Sequence, residues 1–398
     1  MTFPMPDWPR RLQPVIVGVG ESEYRKRGGH SDTPELTLCI DAIRKAAVDA
    51  GIEASQLDGF SSFGFEKNEP AVVQTALAAP AQRFASIVWG AGGGGCSGSV
   101  MLAAMSVATG QSQFAVAYRS ICQGDGQQRY GQFRDRPLWG SYVGPFGLMS
   151  PGLMTSLTYR RFMHERGTGS AHLAELATNS RANAQVNPRA VMRGKPLSTD
   201  DYFASRMIAD PFRLYDCCLE TDGACAVIVT TREHADKLGR PAVPILAAAQ
   251  ASGERWSLGP MGSHNMPLAD YPTINSREVA KAIYAQSGLT PVDIDVAQLY
   301  DAFSGLIPMA LEDYGLCEQG GAAAMIESGA LRQGGRLPVN TAGGMHSEAY
   351  LHGLNLVIEA VRQARGDSTM QVPNVRHSLV TSGGGGGHKS ALILGAAA

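Results

Sequence analysis

The chain has 398 residues, 44% of them hydrophobic, which is enough for two or three domains or for one large fold built from two units. Its 34 basic and 36 acidic residues nearly balance, which argues against nucleic-acid binding, and no apolar run reaches the roughly 18 residues of a membrane span. Seven scattered cysteines without a CxxC pair, and an N-terminus unlike a signal peptide, favour a reduced, cytoplasmic protein.

The first 120 residues alternate between strand and helix patterns. Short apolar runs predict buried strands, and an apolar period near 3.6 predicts helices. These patterns predict a strand over 14–20, a helix over 34–51 that stops at Gly51, a strand over 84–89, a helix over 97–110 and a strand over 114–118. Strand, helix and strand at this spacing predict a parallel α/β sheet.

Residues 120–215 interrupt this alternation. They are rich in Arg, Pro, Gly and Met, and apolar residues continue throughout. We therefore predict a loop and helical insertion that covers a site, rather than a free linker. The interruption ends at a predicted buried strand over 222–231, followed by a short helix over 232–239.

The alternating pattern begins again after Pro241. It predicts a strand over 244–253, a helix over 275–288 capped by Asn275 or Ser276, and a strand that runs into a site-like turn over 295–303. It also predicts a helix over 347–365, a strand that enters a glycine turn over 378–387, and a final strand over 390–395. This repetition predicts an internal duplication, with an N-terminal half over 1–240 that includes the insertion and a C-terminal half over 241–398.

One glycine run and one cysteine each allow two interpretations. Residues 90–95 formally match G-x-G-x-x-G, but no acidic residue follows about 20 positions later, so a close-packed turn facing another ligand is favoured over a dinucleotide site. Cys96 follows this turn at a predicted helix start, which would lower its thiol pKa. It is either a nucleophile or a small buried helix residue.

The remaining polar candidates are cysteines, histidines and tyrosines. The cysteines around the strand over 222–231 are interpreted as core residues, and the histidines lack metal-ligand spacing, so no metal is predicted. Tyr300 and Tyr350 each follow an apolar strand or a glycine pair and precede a predicted helix. Such tyrosines are either core residues with a bonded hydroxyl or catalytic acids and bases.

Two turns of the C-terminal half resemble turns of the thiolase superfamily. Residues 300–303 (Tyr-Asp-Ala-Phe) resemble the thiolase N-E-A-F turn with tyrosine in place of asparagine. Residues 340–344 (Asn-Thr-Ala-Gly-Gly) resemble the opening of the thiolase N-x-N-G-G turn. Counting on from that glycine pair, Tyr350 falls at the thiolase histidine and Gly353 at a later glycine. The resemblance covers almost the whole chain.

Both cysteine positions of the thiolases are changed in this resemblance. In thiolases, the nucleophile lies a fixed distance before the glycine that ends its helix. Counting back from Gly110 reaches Gly93 or Gly94, so Cys96 lies three positions too late to replace the nucleophile. The C-terminal C-x-G-G-G turn has its counterpart at residues 382–386, with serine or glycine in place of cysteine.

The resemblance implies a thiolase fold, in which two duplicated αβ halves form a five-layered αβαβα structure with a large loop and helical insertion. It implies two catalytic tyrosines, Tyr300 and Tyr350. The residues expected to form or support an oxyanion site are His346, His352, His388, Asp301, Gly344 and Gly384. Those expected to bind substrate are Gly93, Gly94 and Gly353.

The combination resembles the lipid-transfer-protein-like branch, specifically the steroid side-chain-cleaving aldolases. That resemblance implies retro-aldol cleavage of a β-hydroxyacyl-CoA, giving a ketone and a shorter acyl-CoA through a thioester enolate. No covalent intermediate is needed, so a cysteine can be absent. Coenzyme A enters as part of the substrate, and no other cofactor is expected. The residues do not decide which tyrosine is the acid and which the base.

The resemblance also implies partners: a homodimer, and a small OB-fold protein that carries a zinc ribbon. Two alternatives stay open. One is a thiolase or acyltransferase that uses Cys96 in a shifted register, and the other is a non-catalytic acyl-CoA- or lipid-binding protein on a thiolase-like fold.

Overall fold

The fold is that of a computed structural model, which describes residues 12–89, 93–124, 144–148, 150–256, 266–384 and 387–397. The strands are β1 (Pro14–Glu21), β2 (Arg25–Lys26), β3 (Gly59–Phe63), β4 (Phe84–Val88), β5 (Ala115–Cys122), β6 (Met207–Ala209), β7 (Phe212–Arg213), β8 (Thr221–Thr231), β9 (Val243–Ala251), β10 (Val296–Gln298), β11 (His377–Ser382) and β12 (Lys389–Gly395).

The α-helices follow the strands in the predicted alternation. They are α1 (Glu35–Ala50), α2 (Pro70–Ala76), α3 (Cys96–Ala108), α4 (Pro151–Arg166), α5 (Ser170–Val186), α6 (Thr199–Ala204), α7 (Arg232–Leu238), α8 (Arg277–Ser287), α9 (Leu306–Asp313), α10 (Ala322–Glu327) and α11 (Leu354–Arg365). Within the described residues, none of these helices is long and apolar enough to cross a membrane.

Two sets of strands repeat one topology. The first set has the order β4-β3-β5-β8-β1, and the second has the order β10-β11-β12-β9. In each set a parallel pair (β3–β5, β10–β11) is followed by two antiparallel pairs (β5–β8 and β8–β1, β11–β12 and β12–β9). In the first set, β4 pairs with β3. In the second set, a single parallel bridge between Ala297 of β10 and Val339 takes the equivalent position. The predicted duplication of αβ halves is confirmed, and the boundary at 240/241 stays a prediction.

The helices arrange these strands in layers. Helices α3 and α11 contact strands of both sets, so they form the central layer. Helix α1 packs on β1, β5 and β8, and α8 packs on β9 and β12, so these helices cover the outer faces. Short antiparallel pairing between β1 and β9 joins the two sets at one edge. The predicted five-layered αβαβα architecture is confirmed, and its larger apolar core surrounds the central helices.

The predicted insertion contributes helices α4, α5 and α6 and the β6–β7 hairpin. Helix α5 contacts the turn Gly344–Glu348, where the Ser180 hydroxyl donates a hydrogen bond to the Gly343 carbonyl. The Asn183 amide donates to the Asn340 carbonyl at 3.1 Å. The insertion therefore holds one of the predicted site turns from outside the sheet.

Two elements of the C-terminal half differ from their predicted extents. The strand predicted to run into a turn within 295–303 ends already at Gln298, because the backbone after it bonds to side chains instead of a neighbouring strand. The helix predicted over 347–365 begins at Leu354, because His352 (φ +55°) and Gly353 (φ +92°) adopt left-handed backbone conformations. Tyr350 therefore lies on an irregular segment before the helix rather than on its first turn.

Ser276 occupies the N-cap position of the helix predicted over 275–288, as one of the two predicted caps, but the expected side-chain bond is not formed. Neither Asn275 nor Ser276 caps α8 through its side chain. Instead, the buried Asp313 carboxylate accepts hydrogen bonds from the backbone N–H groups of Ile274 and Ser276. A carboxylate from a distant helix therefore fixes the backbone that leads into α8.

Candidate active site

Side chains fix the backbone that carries Tyr300. The Asn340 amide bonds to both backbone groups of Leu299: its Oδ1 accepts from the Leu299 N–H at 2.7 Å, and its Nδ2 donates to the Leu299 carbonyl at 2.9 Å. The Tyr300 N–H donates to the Thr381 hydroxyl at 2.9 Å. One turn and strand β11, both in the C-terminal half, thus hold the residue in place after β10 ends.

Three glycine turns enclose the buried Tyr300 ring. A β-carbon on Gly93 would lie 2.2 Å from the Tyr300 hydroxyl oxygen, which is closer than any side chain could approach. A β-carbon on Gly353 would lie 3.3 Å from the ring, and one on Gly384 would lie 3.4 Å from it. Glycines from three predicted turns therefore meet at one phenol, and only a residue without a side chain fits at Gly93.

Tyr350 is held through its own backbone. The Thr221 hydroxyl bonds to both backbone groups of Tyr350, accepting from its N–H and donating to its carbonyl, each at 3.0 Å. The buried Tyr350 ring lies 4.8 Å from the His352 ring, centroid to centroid. Gly353, which touches Tyr300, is three residues further on, so the segment over 350–353 brings the two tyrosines to one region.

A buried ion pair sets the state of His352. The Arg119 guanidinium lies 3.1 Å from the Glu66 carboxylate, and both side chains are almost fully buried. Arg119 Nε donates a hydrogen bond to Nδ1 of His352 at 3.2 Å. Burial, and then the charge of Arg119, hold the pKa of His352 well below its usual range. His352 is therefore a neutral imidazole that accepts a hydrogen bond at Nδ1.

Asp301 and His346 form a second buried pair behind the glycine turn. Asp301 Oδ1 accepts from the Met345 N–H at 2.9 Å, and its Oδ2 lies 3.9 Å from His346 Nδ1. A β-carbon on Gly344 would lie 2.2 Å from that Oδ2, so the turn closes directly over the carboxylate. The structure brings these three predicted support residues together.

The Asp301–His346 pair contains buried polar atoms that form no hydrogen bond. In the part of the chain that the structure describes, Asp301 Oδ2 and both ring nitrogens of His346 have no hydrogen-bond partner. Burial raises the pKa of Asp301 to about 7, and burial followed by the charge of Arg181 lowers the pKa of His346 to about 3. Buried atoms of this kind, with shifted pKa values, are typical of functional sites.

The C-terminal glycine turn at Gly383 contacts the N-terminal glycine turn at Gly94 through small residues. A β-carbon on Gly383 would lie 2.9 Å from the Gly94 Cα. The Ser382 hydroxyl accepts the Ser97 N–H at 3.0 Å, so the serine at the predicted cysteine position holds the start of α3. His388 follows this turn, half-buried, and burial lowers its pKa. It is distant in sequence from His346 and His352.

Cys96 differs from the prediction made for its pKa. Its thiol is buried and points at the Leu351 carbonyl, 3.9 Å away. Burial raises the pKa of the Cys96 thiol to about 12, so the prediction that the helix start would lower it is wrong. Desolvation of the thiolate outweighs the helix N-terminus here. The geometry agrees with a small packed helix residue.

The remaining cysteines lie in or near the core. Cys225 is buried within β8 and its sulfur lies 3.0 Å from the Tyr24 hydroxyl, as a core residue would. Cys217 and Cys218 are half-buried beside the site turns rather than fully inside. No cluster of metal-ligating side chains occurs in the described ranges.

Sequence reasoning missed four residues of this site: Thr221, Thr381, Arg119 and Glu66. The two threonines bond to the backbone of the tyrosines, and no local pattern marks them. Arg119 could have been noticed, because this cation directly follows the apolar run over 114–118 that predicts a buried strand.

Comparison with known proteins gives near full-length matches. Residues 263–396 match the family model described as "Thiolase C-terminal domain-like". A 17-hydroxy-3-oxo-4-pregnene-20-carboxyl-CoA lyase from Mycobacterium tuberculosis is 39% identical over 393 residues, covering 96% of this chain and 99% of that protein. A steroid side-chain-cleaving aldolase from Thermomonospora curvata is 39% identical over 392 residues, covering 96% and 97% respectively.

A solved structure gives a match of the same extent. The Ltp2-ChsH2(DUF35) aldolase superposes with a TM-score of 0.90 at 38% identity, covering 97% of this chain and 98% of that one. The similarity includes both halves and the insertion within the first of them.

Proposed function

This chain belongs to the thiolase superfamily, in the branch of the steroid side-chain-cleaving aldolases, and we propose that it cleaves a β-hydroxyacyl-CoA thioester by a retro-aldol reaction. The observation that carries the proposal is the pairing of a phenol and a thiol at the same turns. The Tyr300 hydroxyl lies against Gly93, while the neighbouring Cys96 thiol is buried and protonated. The site therefore offers acid–base chemistry without a thiolate nucleophile.

The reaction needs one proton removed and one returned. A base takes the proton of the β-hydroxyl group, the electrons of that O–H bond form the ketone carbonyl, and the bond between the α- and β-carbons breaks. Its electron pair stays on the thioester as an enolate, which is protonated at the α-carbon. Atoms and charge balance without an oxidant, a metal or any cofactor beyond the coenzyme A of the substrate.

The two tyrosines are assigned to these proton transfers. In this proposal, Tyr350 addresses the substrate hydroxyl or the enolate carbon, and Tyr300 addresses the other end. His352 lies beside Tyr350 and is neutral, so it can form a hydrogen bond in the site while it stays uncharged. The backbone N–H groups of the Gly93–Gly94 and Gly383–Gly384 turns are the expected donors to the thioester oxygen.

The thiolase alternative requires Cys96 as the nucleophile. A thiol with a pKa of about 12 is almost wholly protonated at neutral pH, and its sulfur points at a backbone carbonyl. A non-catalytic acyl-CoA-binding protein would have no use for a buried Asp301–His346 pair with unmet hydrogen bonds. Both alternatives are outcomes of the test below.

Cleavage in deuterium oxide tests the proposal. The probe is 17-hydroxy-3-oxo-4-pregnene-20-carboxyl-CoA, compared with its analogue lacking the 17-hydroxyl group. We expect a 17-ketone and an acyl-CoA with one deuterium at the α-carbon, and no reaction of the analogue. An acylated Cys96 detected by mass spectrometry would support the acyltransferase instead. Tight binding of the probe with no turnover, in the presence of its protein partner, would support the binding protein.

The steroid part of the substrate rests on the relatives. The two curated relatives named above are a lyase acting on a steroid CoA thioester and a steroid side-chain-cleaving aldolase. We extend this substrate class to the present chain because the 39% identity is measured over 96% of it. A panel of β-hydroxyacyl-CoA thioesters with and without steroid rings tests the extension by comparing kcat/KM.

The same proposal includes a homodimer. Strand β4 is the edge of the first set of strands, and its Ile87 and the following Trp89 are 47% and 83% exposed. Met105 of α3 is 54% exposed. An exposed apolar edge strand is a pairing surface. Trp89→Lys should produce monomers in analytical ultracentrifugation.

A second protein completes the proposed assembly. The related solved structure is named as a complex of Ltp2 with ChsH2(DUF35), and we expect a partner of this kind, a small OB-fold protein with a zinc ribbon, for this chain. Co-purification, followed by comparison of turnover with and without the partner, tests this expectation. The proposed compartment is the cytoplasm, in keeping with seven cysteines that are all free thiols.

A further inference from the structure

Lys389 is a fully buried lysine at the start of β12, directly after the last glycine turn. Its side chain has 0% exposure and ranks among the largest fully buried side chains of the described residues. Lysine is rarely buried in this way unless its charge serves a purpose or is compensated. The reaction proposed above does not use it.

The stem of Lys389 packs where two site turns meet. A β-carbon on Gly383 would lie 2.6 Å from Lys389 Cδ and 2.9 Å from the Gly94 Cα. Lys389 and Gly94 therefore both pack closely against the side of Gly383 that carries no side chain. Gly94 is the residue after Gly93, which contacts the Tyr300 hydroxyl. The lysine stem therefore lies close to the Gly93–Gly94 turn, which encloses the phenol.

The ammonium group is anchored at the other end of the same turn. Nζ donates a hydrogen bond to the Gly387 carbonyl at 2.9 Å and lies 5.8 Å from the Trp256 ring centroid. The Gly387 carbonyl also receives the Asn275 amide at 3.4 Å. The stem of Lys389 thus packs on Gly383, its ammonium bonds to Gly387, and the charge stays inside the protein.

We propose that Lys389 is a positioning residue for the retro-aldol site: its stem holds the Gly94 and Gly383 turns together, and its ammonium adds positive charge beside them. The inference rests on the proposed function, because the charge acts on the enolate of that reaction. A fixed cation in a water-excluded region stabilises an anion formed nearby more than water would. Tyr300 depends on the same turns for its position.

The charge of Lys389 is sensitive to pH. Burial lowers the pKa of Lys389 to about 7, and the charge of Asp313 opposes this shift. The other titratable neighbours are His388, whose pKa is also lowered by burial and then by Lys389, and Arg277, which is paired with Asp313. The ammonium is present below about pH 7 and is lost as the pH rises through that value.

Two substitutions separate the stem from the charge. Lys389→Met keeps a stem and removes the charge, and Lys389→Arg keeps a charge that does not titrate. We expect Lys389→Met to lower kcat roughly 10- to 100-fold with little change in KM. We expect the fall of wild-type kcat above about pH 7 to be absent in Lys389→Arg. Lys237→Met, on an exposed helix, is the matched control.

The result that would overturn the proposal is a Lys389→Met enzyme with wild-type kcat and a wild-type pH profile. If Lys389→Arg fails to fold, Lys389→Met still decides the question through kcat and through the loss of the limb near pH 7. A fall in kcat/KM that comes from KM alone, with kcat unchanged, also overturns it, because the proposed charge acts on the enolate and not on the bound substrate.

A substrate-free measurement tells this proposal from the proposed function. Between about pH 7 and the ordinary lysine pKa, the unfolded chain binds a proton at Lys389 that the folded chain lacks, so wild-type stability rises with pH relative to Lys389→Met. If the wild type cleaves no thioester but shows this rise, the proposed function fails while the buried charge stands. If the wild type cleaves and the rise is absent, the charge at Lys389 is refuted.

Discussion

The two tyrosines of the site lie in surroundings of different kinds. Tyr300 is enclosed by backbone, with Gly93 and Gly353 from separate turns against its ring. Tyr350 lies beside His352, whose neutral state follows from burial and from the charge of Arg119. One phenol is fixed by steric fit, and the other has surroundings that are set by charge.

The difference teaches where each position is vulnerable. Adding a methyl group to a turn should displace Tyr300 and leave Tyr350 in place. Removing a buried charge should alter the pH response at Tyr350 and leave the fit around Tyr300 intact. The variants below test this division, beginning with the one of largest expected effect.

Removing either hydroxyl group tests whether both tyrosines belong to one reaction. We expect Tyr300→Phe and Tyr350→Phe each to lower kcat about 10²- to 10⁴-fold, the range for losing a general acid or base. Both variants should fold normally, because a phenyl ring fills the same space. The measurement is steady-state cleavage, with circular dichroism as the folding control. Near wild-type activity in both variants would remove the tyrosine mechanism.

A methyl group on the first turn tests the steric side of the comparison. Gly93→Ala would put a β-carbon 2.2 Å from the Tyr300 hydroxyl oxygen. We expect kcat to fall about 100-fold, as it does for a displacement near 1 Å. Gly110→Ala is the matched control, because Gly110 has a φ of +76°, close to the +77° of Gly93, with no atom within 4 Å of its added methyl group.

Backbone strain alone should therefore be common to both alanine variants, and the loss of activity should be confined to Gly93→Ala. Equal activity in the two variants would show that Tyr300 does not depend on this close approach.

Removing the cation beside His352 tests the electrostatic side. Arg119→Met leaves Glu66 buried without its partner, and we expect a stability loss of about 3–5 kcal/mol in urea unfolding. The charge of Arg119 also lowers the pKa of His352, so its removal raises that pKa. Protonation of His352 should then appear as an acid limb in kcat at higher pH than in the wild type.

The double variant Arg119→Met/Glu66→Gln separates these two effects. It should recover much of the lost stability, since no unpaired charge remains buried, while the acid limb stays shifted. An unshifted pH profile in both variants would break the comparison, because the surroundings of Tyr350 would then not be set by charge.

The fold was largely predictable, because hydrophobic periodicity and the glycine stops of the helices are local signals. The strand over 14–20 and the helix over 34–51 agree with β1 and α1 to within one residue at each end. The segment from Gln298 to Leu354 was not predictable in the same way. At its start, the N–H groups of Leu299 and Tyr300 donate to side chains of Asn340 and Thr381, which are distant in sequence, so the apolar period carries no information about this backbone.

The site was predicted through the family resemblance, and the structure adds how its parts meet. Periodicity cannot show that Gly93, Gly353 and Gly384 converge on one ring, since these turns come from both halves of the chain. Burial is the other quantity that a sequence hides. It reverses the pKa shift predicted for Cys96, and it conceals Lys389 within what reads as an ordinary strand start.

The smallest effect is expected at Cys96, next to the turn that encloses Tyr300. Cys96→Ala removes a buried sulfur that makes one long contact with the Leu351 carbonyl. We expect kcat and KM to stay within about 2-fold of wild type, and a stability loss of about 1–2 kcal/mol, because burying one fewer heavy atom removes little apolar area and leaves a small cavity. Cys225→Ala, in β8, is the control for thiol removal elsewhere in the core. A loss of activity at Cys96 comparable to that of Tyr300→Phe would place a nucleophile at this turn and return the chain to acyl transfer.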